Sequence, residues 1–321
     1  MKSALITGAT GFLGRHLVAR LGGSVRLRVL ARDPRRAPEG AEVVEGDVTL
    51  RADVERAIAG VDRVYHLAGV VSRDPKDDGL LYRVHVEGTR AVCDAARAAG
   101  VDKLVVVSSS GTVAVGREPY AHDETSGYKQ HVVSEWAYYL SKIFAEKLAF
   151  DYHSRHGLPV VVVNPALLLG PGDDRDSSTK DVRLFMEGKV LAVPPGGMSI
   201  VDVRDVAAGV EAAMERGRPG ERYLLGGPNW SFRRLIRETA RIAGVRPPRF
   251  APPFGLQLWS GRVLRTIVPS LQGLDDATIK MSALFWYVDS RKAVRELGFH
   301  ARDPLETLAD TVRDIRRRTG R

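Results

Sequence analysis

Cysteine is almost missing from this chain, and the one present, Cys93, has no second cysteine with which to form an internal disulfide. It falls within the helical pattern Gly88 to Ala99 and reads as a small core residue rather than a nucleophile. No uninterrupted apolar run reaches the roughly 20 residues that a membrane-spanning helix requires. The opening MKSALITGAT enters a strand at once and has no signal-peptide anatomy, so a cytoplasmic location is expected. Aromatic residues are sparse, and none interleave with basic residues in a stripe, so a net charge of +9 does not point to nucleic acid. The densest basic run, Arg313 to Arg321, closes the last helical pattern and reads as a solvated tail. The positive balance instead favours an anionic cofactor or substrate. His122, His131 and His153 are too scattered for a metal site. The apolar stretch Pro252 to Val268 carries Arg262 and Arg265, is broken by Gly and Pro, and reads as a lid or interface helix.

What the chain does have is a regular alternation of short apolar runs and helical patterns. Strands are expected at Ser3–Thr7, Val25–Ala31, Ala41–Val44, Val61–Leu67, Lys103–Ser108 and Leu158–Val163. Between them lie helical patterns at Phe12–Leu21, Ala52–Ala59, Leu80–Ala99 and Ser134–His156. Apolar strands alternating with helices imply a parallel sheet covered on both faces, an α/β fold with a doubly wound, Rossmann-type sheet. After Asn164-Pro165 the pattern changes to polar, turn-rich loops and a mostly helical remainder. We therefore expect a dinucleotide domain at residues 1–165, to which the chain returns at about 199–225. Residues 166–198 and 226–321 would form a smaller substrate lobe.

The loop Thr7-Gly8-Ala-Thr10-Gly11-Phe12-Leu13-Gly14 joins the first strand to the first helix. Gly8 permits the tight turn, Gly11 lets the backbone approach a pyrophosphate, and Gly14 lets the helix pack against the sheet. The helix N-terminus supplies N–H groups and a favourable dipole for phosphate. The second strand ends in Ala31-Arg32-Asp33-Pro34, where an NAD site usually places a carboxylate for the ribose hydroxyls. Arg32 suits a 2′-phosphate instead, and Asp33 is expected to cap the turn at Pro34. NADP(H) is the expected cofactor, with NAD(H) as the alternative.

Tyr138 and Lys142 lie four residues apart on one helical face. A free tyrosine has a pKa of about 10, and a neighbouring ammonium favours its ionised form. Upstream, Val105-Val-Val107-Ser108-Ser109-Ser110 ends a parallel strand, where open α/β sheets bind their ligands. A serine hydroxyl there can hold a substrate oxygen while the tyrosine exchanges its proton.

These motifs together resemble an extended short-chain dehydrogenase/reductase of the NAD-dependent epimerase/dehydratase type. TGATGFLG (Thr7 to Gly14), GDV (Gly46 to Val48), HLAG (His66 to Gly69), VEGT (Val86 to Thr89), SSSGTV (Ser108 to Val113) and YYLSK (Tyr138 to Lys142) carry the likeness. NPALLLGPG (Asn164 to Gly172), VDVRDVAAG (Val201 to Gly209) and RKAVRELGF (Arg291 to Phe299) extend it almost to the C-terminus. Within that superfamily the chain is most similar to the dihydroflavonol-reductase-like branch, which includes proteins labelled hopanoid-associated sugar epimerases. The resemblance implies catalysis by Ser110, Tyr138 and Lys142. It implies cofactor contacts from Gly8, Thr10, Gly11, Phe12, Leu13, Gly14, Asp47, Val48, Leu67, Ala68 and Gly69. Val107, Ser108, Tyr138, Lys142, Asn164, Pro165 and Ala166 would line the nicotinamide end. His85 stands where the family usually has asparagine, and a histidine there would add pH dependence.

The family's dehydratases carry Thr-Asp-Glu where this chain has Ser110-Gly-Thr112, so elimination of water is set aside. Arg32 favours exchangeable NADPH, hence reduction of a ketone or aldehyde. The alternatives are a nucleotide-sugar epimerase with tightly bound NAD and a non-catalytic NADP-binding regulator. Trp136, Tyr139, Phe185, Met186, Trp286 and Tyr287 are candidates for an apolar or aromatic substrate pocket. A homodimer formed through the helices at Leu80–Ala99 and Ser134–His156 is the expected assembly.

Overall fold

The computed structural model describes residues 1–190, 192–248 and 276–320; the proposed lid or interface helix at Pro252 to Val268 lies outside them. Seven parallel strands form the central sheet: β1 (Ser3–Thr7), β2 (Arg26–Ala31), β3 (Glu42–Glu45), β4 (Arg63–His66), β5 (Lys103–Val107), β6 (Val160–Pro165) and β9 (Arg222–Leu225). Their order is β3-β2-β1-β4-β5-β6-β9, with every pairing parallel. The chain winds outward from β1 to β3 and then crosses back to β4. The strand order therefore reverses between β1 and β4, the crevice where open α/β sheets take their ligands.

β1 shows why these residues make a buried parallel strand. All five are buried; Ala4 and Ile6 point into one core and Leu5 into the other. The first core packs α1 (Phe12–Leu21) and α8 (Val203–Arg216) on the sheet through Leu17, Val18, Val206, Val210 and Met214. The second receives α2 (Arg51–Ile58), α4 (Gly88–Ala99) and α6 (Ala137–His156) through Val54, Ile58, Val92, Ala96 and Ala149, and it encloses Cys93. Each such aliphatic side chain contributes about 1.5–3 kcal/mol over leaving it exposed. Between α3 (Asp78–Tyr82) and α4 the backbone makes a π-helical turn at Arg83–Glu87, with His85 at its centre.

A small second sheet sits beyond the C-terminal edge of the first. It pairs β8 (Gly197–Asp202) with β7 (Leu167–Leu169), β10 (Asn229–Ser231) and β11 (Phe285–Trp286). Strands of two or three residues are too short to leave a two-residue period, which is why the sequence read this part as mostly helical. α6 begins at Ala137 rather than Ser134, because Trp136 adopts an extended conformation before it. The basic C-terminal run is not simply solvated. Arg316 donates to the Ala243 carbonyl at 2.7 Å, and Arg318 pairs with Asp314 at 2.9 Å and Asp176 at 3.0 Å. These bonds clamp the last helix, Pro304–Thr319, to the lobe.

Candidate active site

The glycine loop leaves β1 with Gly8 in the left-handed region at φ +76°. A β-carbon there would meet the Ala68 nitrogen at 2.7 Å. At Gly14 a β-carbon would lie 2.2 Å from the Gly8 carbonyl oxygen, so only glycine lets α1 start this close to β1. Gly11 caps α1 with no side-chain acceptor, and the first turn holds no acidic residue. The N–H groups and positive dipole end of the helix are therefore left for an anion. This cradle, at the crevice between β1 and β4, fits a dinucleotide pyrophosphate. The remaining residues expected to bind the cofactor stand along the same edge. Arg32 directly follows β2, Asp47 and Val48 follow β3, Leu67 to Gly69 follow β4, and Ser108 follows β5. Asp33 is spent on the turn: its carboxylate accepts from the Arg35 nitrogen at 3.1 Å and guanidinium at 2.9 Å.

Tyr138 opens α6 and Lys142 follows one turn later on the same face. The side chain that favours the ionised form of the Tyr138 hydroxyl is that of Ser109. That differs from the sequence expectation. Ser110 is buried as the first residue of a 3₁₀ turn, with its carbonyl accepting from Val113 and Ala114. Ser109 caps that turn, accepting from Gly111 at 3.3 Å. Burial pushes the Tyr138 phenol up to about 12, and the Ser109 side chain only partly offsets it. Burial also holds the Lys142 ammonium down to about 8, against the attraction of Glu146. The sequence had suggested a tyrosine acidified by its lysine. Desolvation governs it instead and leaves a protonated phenol, a proton donor at neutral pH.

Lys142 donates to the Val107 carbonyl at 3.1 Å, which ties α6 to the end of β5. Two buried polar networks then fix the helix. In the first, the Val70 N–H donates to His85 Nε2 at 3.1 Å, so the proton of the neutral ring resides on Nδ1. Nδ1 donates to Ser141 at 2.8 Å, and Ser141 donates to the Tyr138 carbonyl at 2.8 Å. Thr89 links the His85 carbonyl at 2.5 Å to His66 at 3.0 Å, and Thr7 bonds the other His66 nitrogen at 2.8 Å. The second network centres on Glu146, one further turn along α6 and wholly buried. Its Oε1 accepts from Ser108 at 2.5 Å and from Asn164 at 2.7 Å. Its Oε2 lies 3.4 Å from Arg222, near enough for charge attraction though not aligned as a hydrogen bond.

Several expectations change in consequence. Burial, and to a lesser extent the Lys142 charge, hold His85 down to about 2, so it stays neutral and adds no titration near physiological pH. Asn164 has no exposed surface and donates to Ser109 and Thr112 as well as Glu146. It braces the serine turn. Trp136 and Trp286 are buried with Val115, Val133, Ile143 and Leu284, and so are core. Tyr139 stacks on Trp286 at 4.9 Å and meets the Tyr138 ring edge-on at 5.0 Å. Phe185 is buried in α7 (Lys180–Met186), Met186 packs on the lobe core, and Tyr287 packs on Phe285. Trp136, Tyr139 and Trp286 come together against Gly111 of the serine turn, Phe185 and Met186 belong to a separate cluster, and Tyr139 adjoins the tyrosine proposed for catalysis.

Sequence reasoning overlooked Glu146 and Ser141. Glu146 continues the four-residue spacing of Tyr138 and Lys142, a signal that was present, but its partners are 18 to 76 residues away.

A doubly wound parallel sheet with this cradle and a Tyr–Lys helix beside a strand-end serine defines the class of NAD(P)-dependent oxidoreductases built on the extended short-chain dehydrogenase/reductase fold. The chain belongs to the NAD-dependent epimerase/dehydratase family, whose model matches residues 4–226. It is 32% identical to a Synechocystis protein provisionally named dihydroflavonol 4-reductase, over 96% of this chain and 92% of that one. It is 31% identical to the sterol demethylase protein B of Methylococcus capsulatus, over 98% and 99% of the two chains. The solved structure of gox2253 superposes with a TM-score of 0.87 at 30% identity, covering 99% of this chain and 98% of its own. Among the described residues, no helix is long and apolar enough to cross a membrane.

Proposed function

We propose that this protein reduces a ketone or aldehyde on a small apolar or aromatic molecule with NADPH, using Tyr138 as the proton donor. The observation that carries the reading is the Tyr138 phenol, held protonated by burial beside the serine turn, with Lys142 one helical turn behind it. When bound in the cradle, the reduced nicotinamide supplies a hydride to the carbonyl carbon. The Ser109 hydroxyl donates to the carbonyl oxygen and polarises it. Tyr138 gives that oxygen its proton as negative charge develops there. The Lys142 ammonium stabilises the phenolate left behind. The NADPH preference rests on Arg32 at the end of β2 and on Asp33 being committed to Arg35. A relative named for dihydroflavonol reduction and one named for sterol demethylation accord with an apolar substrate. Tyr82 and Phe144, exposed on the helices expected to pair, support a homodimer.

Oxidation of NADPH over a panel of carbonyl compounds tests the reading. Tyr138→Phe should abolish turnover and leave NADPH binding intact; full activity in that variant sinks the mechanism. Ser109→Ala should cost about 10²-fold or more in kcat, and Ser110→Ala far less. Reversed effects would return the role to Ser110. Tightly held NAD in the purified protein, with no turnover of added NADPH, would point to a nucleotide-sugar epimerase instead.

A further inference from the structure

The ring of Tyr138 is held between two others. On one side the His85 imidazole meets it edge-on, with ring centres 5.7 Å apart and planes at 79°. On the other the Tyr139 ring meets it edge-on at 5.0 Å and 81°. Aromatic pairs favour this arrangement because the positive edge of one ring faces the negative face of the next. His85 is fixed by its bonds to Val70 and Ser141. What fixes Tyr139 comes from the lobe.

Trp286, on β11, stacks on the Tyr139 ring at 4.9 Å with the planes 27° apart. Several contacts hold it there. Its indole N–H donates to the Met281 carbonyl at 3.0 Å, Trp136 leans on it at 6.0 Å, and it pairs in the small sheet with Met198 of β8. Only 3% of its surface is exposed, so it is a fixed wall and not a ring free to swing away. Both rings also press on the serine turn. A β-carbon at Gly111 would lie 2.3 Å from Tyr139 Cε1 and 2.9 Å from Trp286 Cζ3, distances that no real β-carbon keeps. The two rings fill the space that a side chain at Gly111 would need. Gly111 in turn donates its N–H to Ser109 Oγ at 3.3 Å. One aromatic stack therefore touches both the serine turn and the ring beside it on α6.

We propose that Trp286 and Tyr139 are positioning residues: through their stack the lobe holds the Tyr138 ring against His85 and sets its place relative to the serine turn. The inference rests on the reading of Tyr138 as proton donor and adds that a residue of the lobe orients it. Neither Trp286 nor Tyr139 exchanges a proton; they act by where they leave the phenol. Reaction rate is steep in such geometry, and a misplacement of about 1 Å costs on the order of 10²-fold. In consequence, the donor is aligned only while the lobe is docked on the serine turn.

NADPH oxidation over the best carbonyl of the panel, with kcat, KM and NADPH affinity measured separately, tests the proposal. Trp286→Ala should lower kcat by about 10- to 100-fold and leave NADPH affinity within about twofold. A rise in KM at unchanged kcat would make Trp286 a substrate contact and overturns the role. Removing a buried tryptophan can prevent folding, so Tyr139 supplies a second pair of variants. Tyr139→Leu should lose kcat as Trp286→Ala does, and Tyr139→Phe, which keeps the ring, should recover most of it. A Tyr139→Phe as impaired as Tyr139→Leu overturns the role of the ring. A further readout needs no turnover: nuclear magnetic resonance of the full-length protein with isotope-labelled tyrosine rings, Tyr138 being assigned by its absence from Tyr138→Phe. The clamped ring should show its two edges as separate signals in the wild type, and these should merge in Tyr139→Leu as the ring turns freely. Merged edges in the wild type, or edges still separate in Tyr139→Leu, overturn the clamp and leave the reductase reading standing. A wild type that reduces no carbonyl overturns that reading, and the ring signals then decide the clamp alone.

Discussion

The two sides of α6 are anchored by buried polar groups of different character. Toward β1 and β4 the anchors are His66, Thr89, His85 and Ser141, none of which carries charge. Toward β5, β6 and β9 they are Ser108, Asn164, Glu146 and Arg222, which include an ion pair. The neutral side holds the backbone at Tyr138 in place and contributes almost no field. The charged side places a carboxylate one turn beyond Lys142 and opposes the loss of its proton. Positioning and electrostatic tuning of the same helix are thus divided between its two flanks.

Removing the charged anchor should have the largest effect. Glu146→Leu strands Arg222 and leaves the Ser108 and Asn164 donors without their acceptor, which should cost about 3–5 kcal/mol in urea unfolding. An unchanged midpoint would mean that the charged side is not an anchor. Glu146→Gln keeps an acceptor but loses the charge. It should therefore lower the pH at which activity falls as Lys142 deprotonates, from about 8 in the wild type.

Lys142 itself should behave as a stability liability. Its folded pKa is depressed from 10.5 to about 8, so between those values the unfolded chain binds more protons. Stability should accordingly rise with pH across that window, and the penalty is present in full below pH 8. Lys142→Met should then gain roughly 1–3 kcal/mol at neutral pH while losing activity. A destabilised variant contradicts the sign.

The neutral side should show itself in acid. His85 and His66 are held down to about 2 and about 3 by burial, against an ordinary value of 6.5. Both favour the folded state above 6.5 and lose that contribution as the pH falls below it. His85→Asn should remove about 1–2 kcal/mol of the stability lost between pH 7 and 5, read as a shallower acid limb in thermal melts. An identical limb would show that His85 does not carry the acid sensitivity.

How much of this was legible beforehand follows from the range of each interaction. The glycine loop, the alternation of strands and helices, and the four-residue spacing of Tyr138 and Lys142 are local patterns, read directly from neighbouring residues. The choice between Ser109 and Ser110 was not local. It depended on which hydroxyl the turn after β5 aims at a helix that begins 27 residues later. His85 looked like a pH sensor by residue type, and only its burial beside Lys142 removes that property. Trp136 and Trp286 looked like pocket residues until their shared core placed them inside.

The sequence by itself therefore determined the class of fold, the dinucleotide cradle and the Tyr138–Lys142 pair, because steric and helical periodicity act over a few residues. The tertiary structure decided which serine stands by Tyr138, which protonation state His85 holds and what braces α6. Hydrogen bonding, desolvation and charge depend on distances through space, and those are set only when segments far apart in the chain are packed together.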